Sequence, residues 1–314
     1  MGNLWKLGIG AAAVLCAVFL TYALGSAREA KPASPPQGYR AVEIASLVVE
    51  GEAVSLTVRD EKGLRGVVVE GIGLRAAVKR FREGDRVLVA GEDRRDGSSV
   101  LSDILPRTVA IPRTVRILCF AGWGLFVLLA ALAFLRSEAH VLLVGKDHYL
   151  SNSKFQVAAW TWALLTGYLA FVSLRCCAGG CSLLGGVATP ANLLLLSGLS
   201  AFTFAGAKGI RVAKEGEKTE ETRNREATAA ANRPLEVGDL FKDNRSKVDI
   251  GDFQMVAVTG LAVAVFAGRV LCDLQSVPLM KEVSLPDVDS TILATFGLGQ
   301  GAYLMKKYVG DGHA

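Results

Sequence analysis

KFQVAAWTWA, residues 154–163, and DFQMVAVTGL, residues 252–261, begin alike: Phe-Gln, an Ala three positions after the Gln, and a Thr two further on. The two pairs, Phe155-Gln156 and Phe253-Gln254, stand 98 residues apart (253 − 155), and the matching threonines are Thr161 and Thr259. Each opens an apolar run, followed by a polar connection and a second apolar run just after a proline, Pro190 or Pro286. In the returning runs Ser197-Gly198-Leu199-Ser200 aligns with Phe296-Gly297-Leu298-Gly299, Phe204 with Tyr303 and Lys208 with Lys307, at an offset of 99 (297 − 198). Identities that keep order and spacing over a whole hairpin predict a duplicated two-helix unit. Each unit crosses twice, so the copies share an orientation and their pseudo-twofold axis is expected along the membrane normal.

Composition agrees with a membrane protein. Half of the 314 residues are hydrophobic while a fifth are charged, which suits apolar spans alternating with polar segments. Charge-free stretches place the spans at Leu7–Ala27, Ile117–Leu135, Phe155–Leu174, Thr189–Ala207, Phe253–Cys272 (interrupted only by Arg269) and a shorter Ser290–Met305. The fold class is thus a multi-span α-helical membrane protein with about six transmembrane helices and a duplicated two-helix unit. It divides into an anchor (1–27), linker (28–37), exported β-domain (38–113), second span (114–136), first hairpin (137–210), charged loop (211–241) and second hairpin (242–314).

Lys and Arg set the orientation. Arg136, Lys146, Lys154, Lys306 and Lys307 mark one side as cytoplasmic, whereas the connections 175–188 and 274–289 carry one basic residue each, Arg175 and Lys281. Both termini then lie inside and residues 28–113 outside. Lys6, the apolar run and the small residues of Leu24-Gly25-Ser26-Ala27 also fit a cleavable signal peptide. Either alternative exports the domain that follows.

In that domain Val42–Val49, Val54–Arg59 and Arg65–Val69 read as strands, Leu74–Arg82 as a short helix, and Arg86–Ala90 and Val100–Leu105 as two more strands, with turns at Glu83-Gly84-Asp85 and Arg95-Asp96-Gly97. Three strands, a helix and two strands resemble the order of an OB-fold barrel, an extracytoplasmic insertion between the first two spans. Such barrels often bind nucleic acid through a basic groove and stacking aromatics. Here Tyr39 and Phe81 are the only aromatics, and fifteen basic residues over 28–113 face thirteen acidic ones. Nucleic acid is not an expected partner; nor does the segment hold a His for attaching haem.

The pieces SNSKFQVAAWT, DIGDFQMVAVT and LPDVDSTILATFGLGQGAYLMKK resemble recurrent segments of a group of uncharacterised bacterial inner-membrane proteins, over roughly residues 145–310. The resemblance implies a bacterial inner-membrane location and the paired hairpins, and no activity.

Catalytic constellations do not emerge. His140, His148 and His313 are scattered, Asp239, Asp243, Asn244 and Asp249 lack EF-hand spacing, and Ser151 and Ser153 suit helix capping; no enzyme activity, metal or cofactor is expected. Gln156, Gln254, Thr161, Thr259, Phe155, Phe253, Gly198 and Gly297 are expected packing residues between repeats, since amides bond across helices and glycine permits close approach. Cys176, Cys177 and Cys181 cluster in an exterior connection and Cys272 ends the fifth span; these four are disulfide candidates, with Cys272 the expected partner of the cluster. The loop 208–252 balances ten basic against ten acidic residues, and its segment Ala213–Ala231 suits a solvated helix or a disordered tether. The expected function is a non-enzymatic membrane scaffold or assembly protein, embedded in the lipid bilayer, that presents the barrel to an envelope protein. Homo-oligomerisation stays open. The alternative is a small channel or transporter with its pathway between the hairpins.

Overall fold

The structure, a computed structural model, describes residues 4–32, 34–50, 53–61, 63–93, 99–135, 144, 150–216, 238, 240 and 250–309. The three histidines, most of the 211–241 loop, the acidic group 239–249 and the turn 95–97 lie outside these residues. So do Arg136 and Lys146, and of Lys307 only the backbone is described.

Long helices form over each charge-free run and extend past it, the helix after Pro190 continuing through Lys208 to Gly216, into the segment expected to be the charged loop. They are α1 (Leu4–Glu29), α3 (Arg113–Leu135), α4 (Asn152–Gly179), α5 (Ala191–Gly216), α6 (Ile250–Asp273) and α7 (Ser290–Val309). The first five are long and apolar enough to cross a membrane. Helix α7 forms over 20 residues but is not among them. Gly297, Gly299, Gln300, Gly301, Lys306 and Lys307 dilute its apolar character, so length alone does not make it a sixth span.

Between α1 and α3 the chain builds a closed barrel from β1 (Tyr39–Glu50), β2 (Ala53–Asp60), β3 (Gly63–Val69), β4 (Arg86–Asp93) and β5 (Ser99–Pro106), in the order β1-β2-β3-β5-β4. Helix α2 (Ile72–Val78) sits between the third and fourth strands as expected, four residues shorter at its C-terminal end than the sequence suggests (Val78 against Arg82). The β3–β5 pairing is parallel and the other four are antiparallel. Period-2 alternation buries Val54, Leu56 and Val58 of β2, which join Ile44, Val87, Ile104 and Phe81 in one apolar core. Closure leaves no free sheet edge.

The helices pack through small residues. Cys16 Sγ donates to Gly122 O at 3.2 Å between α1 and α3, and a side chain at Gly122 would meet Leu20 within 2.8 Å. On the opposite face of α3, Trp162 Nε1 donates to Gly124 O (2.9 Å) and Trp123 Nε1 to Ser173 Oγ (2.9 Å), joining α3 to α4. The four remaining helices form a ring in which α4 packs on α5 and α6, and α7 packs on α5 and α6.

Short strands cover the barrel end of this ring. β6 (Thr108–Ala110), leaving the barrel, pairs antiparallel with β8 (Ser276–Pro278), leaving α6. β7 (Val187–Ala188) pairs parallel with β9 (Val283–Ser284), so the connections of the two hairpins bond to each other. Gly186 is essential to this contact: its φ is +62°, and a Cβ there would lie 1.9 Å from Lys281 O. Gly186→Ala is therefore expected to lower stability by about 1–3 kcal/mol. Thermal unfolding in detergent checks this, with Gly185→Ala, also at positive φ but in open space, as the milder control.

Candidate functional site

Two groups of buried polar side chains stand out in a chain this apolar. The first joins the barrel to the helices. Asp85, in the turn before β4, is fully buried, and its carboxylate receives the Arg82 N–H at 2.7 Å and, from 196 residues away, the Lys281 N–H at 2.6 Å. Gly84, at φ +85°, lets the turn close tightly enough to aim that carboxylate. From the other side Arg175 reaches the same segment. Its guanidinium donates to Gly185 O (2.9 Å), to Lys281 O (3.2 Å) and to Met280 O. The peptide units at Met280 and Lys281 are thus held between a buried anion on the barrel and a buried cation on α4. Backbone bonds extend the seam: Arg86 N–H to Leu279 O (3.1 Å), Leu279 N–H to Arg107 O (2.8 Å) and Ile111 N–H to Gln275 O (3.0 Å). An exposed pair, Arg82 with Glu282, lies at its rim and contributes little.

Arg175 is not the loop residue expected from sequence. Helix α4 runs on to Gly179, and Arg175 occupies its last turns with no exposed surface. Ionic groups out of water are retained only where their hydrogen-bonding capacity is used, and three carbonyls here take up most of it.

The second group lies toward the opposite end of the ring. Gln156 of α4 is buried and donates from Nε2 to Thr259 Oγ1 of α6 at 2.8 Å; Thr259 in turn donates to Met255 O at 2.8 Å. Two of the expected packing residues are thereby brought together, though not as like with like. Gln254 and Thr161 are exposed, and so is Phe253, while Phe155 is half-buried. The buried positions of α4 and α6 correspond at a spacing of 99, not 98: Gln156 with Met255, Trp160 with Thr259, Ala163 with Ala262, Gly167 with Phe266 and Phe171 with Val270. The Phe-Gln match is thus one residue out of step with the packing, which turns Gln254 by about 100° away from the core.

In the returning helices the correspondence is 100: Leu196, Ser200 and Thr203 of α5 are buried, as are Phe296, Gln300 and Tyr303 of α7. Gly198 is exposed with open space around it and makes no close helix contact, and a Cβ at Gly297 would meet Leu199 Cδ1 at an ordinary 3.8 Å. The tighter approach is at Gly206, where a Cβ would lie 3.2 Å from the Leu304 side chain. Gln300 is a buried polar residue that the matched motif stops short of, and Ser200, inside the motif, is buried where its aligned partner Gly299 is not a polar residue; a lone polar residue inside a small-residue run was the signal.

Around this polar layer several atoms have no hydrogen-bond partner: Gln156 Oε1, Asn152 Oδ1, Trp160 Nε1, Ser200 Oγ and both amide atoms of Gln300. On its barrel side Trp160 packs against Phe266 and Phe296, each at 6.2 Å between ring centroids. At the far end Lys306 approaches Asp252 at 3.5 Å. Ser151 holds the N-cap position of α4, yet its hydroxyl faces Ser153 Oγ (3.2 Å) and makes no side-chain cap.

Of the four disulfide candidates, all free thiols here, Cys176 and Cys181 have their sulfurs 3.7 Å apart, and Cys272 is exposed. No protein-family model and no curated protein matches the sequence.

Two outcomes follow from this geometry. Gln156→Leu should cost about 1 kcal/mol, because Thr259 loses its cross-helix donor, while Gln254→Leu should be silent; detergent unfolding of both variants distinguishes them. On mild oxidation Cys176 and Cys181 should bridge first, leaving Cys272 alkylatable in non-reducing peptide mass spectrometry.

Proposed function

We propose that the chain is a non-enzymatic scaffold of a bacterial inner membrane, in which duplicated helical hairpins hold an OB-like barrel in fixed orientation for a protein partner in the envelope. One observation carries the proposal: Asp85 and Arg175, both fully buried, hold opposite sides of the 280–281 backbone, so the barrel has no freedom to swing as a tethered domain would. Its outer surface remains available, with exposed Val48 and Val68 in one row, on either side of Ser55 of β2.

Duplication is supported by the way equivalent elements meet each other, α4 with α6, β7 with β9 and α5 with α7, and by the matched burial along both helix pairs. The basic residues Lys154, Lys208, Lys306 and Lys307 stand at the ends away from the barrel, which supports a cytoplasmic position for those ends and an exterior one for the barrel. The rival reading, a channel or transporter between the hairpins, draws on the polar layer. The contacts of Trp160 with Phe266 and Phe296 close the space between α4, α6 and α7 on the barrel side of that layer, which favours the scaffold.

A photo-crosslinking residue at position 68, used in native membranes, is expected to capture a protein, and capture should fall in the Asp85→Asn variant even though position 68 is unaltered. Adducts to lipid alone would overturn the proposal. So would solute flux through reconstituted liposomes that disappears with Gln156→Leu. Leu64→Cys should label from outside intact cells and Lys208→Cys only after permeabilisation.

A further inference from the structure

Of the unpartnered polar atoms of the helical ring, those of Gln156, Ser200 and Gln300 lie near one height, with Asn152 about a turn farther out and Thr166 well toward the barrel. Trp160 of α4 and Phe296 of α7 are in ring contact, and the two helices run antiparallel. One turn farther from the barrel is therefore Gln156 on α4 and Gln300 on α7. On α5, Leu199 lies against Gly297, which brings the adjacent Ser200 to a height between Phe296 and Gln300. Thr259 of α6 completes the level through its bond to Gln156. Four helices thus each contribute a buried polar side chain to one layer, floored by Trp160, Phe266 and Phe296.

Such a layer is costly when dry, since each buried polar atom without a partner forfeits the hydrogen bonds it had in water. Ser200, Gln300 and Gln156 are all at least nine-tenths buried. The stranded set contains donors (Trp160 Nε1, Gln300 Nε2, Ser200 Oγ) and acceptors (Gln156 Oε1, Gln300 Oε1), and none of these side chains is charged. An ion would lack compensation there. A small neutral molecule able both to donate and to accept would satisfy the layer, as buried water does elsewhere.

We propose that Gln156, Trp160, Ser200 and Gln300 form a binding site for a small uncharged hydrogen-bonding molecule, water or a neutral solute, that enters from the end of the helices away from the barrel and goes no farther than the aromatic floor. The site goes beyond the scaffold reading and does not depend on it, because it would exist whether or not the barrel has a partner.

Thiol chemistry tests it in the full-length protein in vesicles. In Ser200→Cys, a thiolate attacks the sulfenyl sulfur of methyl methanethiosulfonate, a mixed disulfide forms and methanesulfinate leaves. Thiolate forms only where water reaches. Peptide mass spectrometry is expected to show position 200 reacting at least about tenfold faster than native Cys119, which is fully buried in an apolar setting. It should also outpace Gly198→Cys, which faces outward. Slowing by added acetamide identifies a solute site, and indifference to acetamide identifies water as the occupant. Because Ser200→Cys could disturb folding, radiolytic oxidation of the unaltered protein supplies a second readout. Phe296 and Phe81 are equally buried, each about 1% exposed, but only Phe296 borders the layer, so it should oxidise several-fold faster. Position 200 as unreactive as Cys119, or Phe296 as slow as Phe81, would overturn the site.

Discussion

A guanidinium with no exposed surface, at the end of a long apolar helix, is the constraint around which the barrel-side half of the molecule is arranged. Arg175 needs acceptors, and the connections of both hairpins supply them: Gly185 from its own, Met280 and Lys281 from the other. Those carbonyls are in place only because β7 and β9 pair and because Gly186 lets Lys281 O come close. The same peptide segment turns its Lys281 N–H toward Asp85 on the barrel. Helix end, hairpin connections and barrel turn are thus bound into one network, in which removal of a member strands the others.

The two ends of the helical ring solve different problems. At the barrel end buried charge is neutralised locally by backbone, and strands cover what would otherwise be open helix termini. Toward the opposite end the layer of Gln156, Ser200 and Gln300 is neutral and incompletely paired, so it is satisfied by something outside the chain, and the Lys306–Asp252 pair lies beyond it. The aromatic contacts of Trp160 separate the two regions.

Much of the architecture was legible in the sequence because its signals are cumulative. Twenty residues without charge define a helix wherever its packing falls, and alternation over Val54–Val58 with flanking turns defines a strand pair. Register was less legible. The Phe-Gln identity at 98 competes with a burial correspondence at 99, and a one-residue slip in a helix redirects a side chain by about 100°, enough to move Gln254 from core to surface. Arg175 was hidden for a related reason: it follows the charge-free run ending at Leu174, where a basic residue ordinarily marks the edge of a span. Asp85 sits in a Gly-Asp turn of a common kind, and its distant partner, a backbone N–H, leaves no trace in residue type.

Hydrogen exchange at the Lys281 amide reads directly whether barrel and helices are joined through the buried segment 280–281. Strong protection is expected in the unaltered protein and exchange several-fold faster or more in both Asp85→Asn and Arg175→Gln, with the barrel's own strands still protected. Rapid exchange at Lys281 in the unaltered protein, or protection indifferent to both substitutions, would contradict that junction.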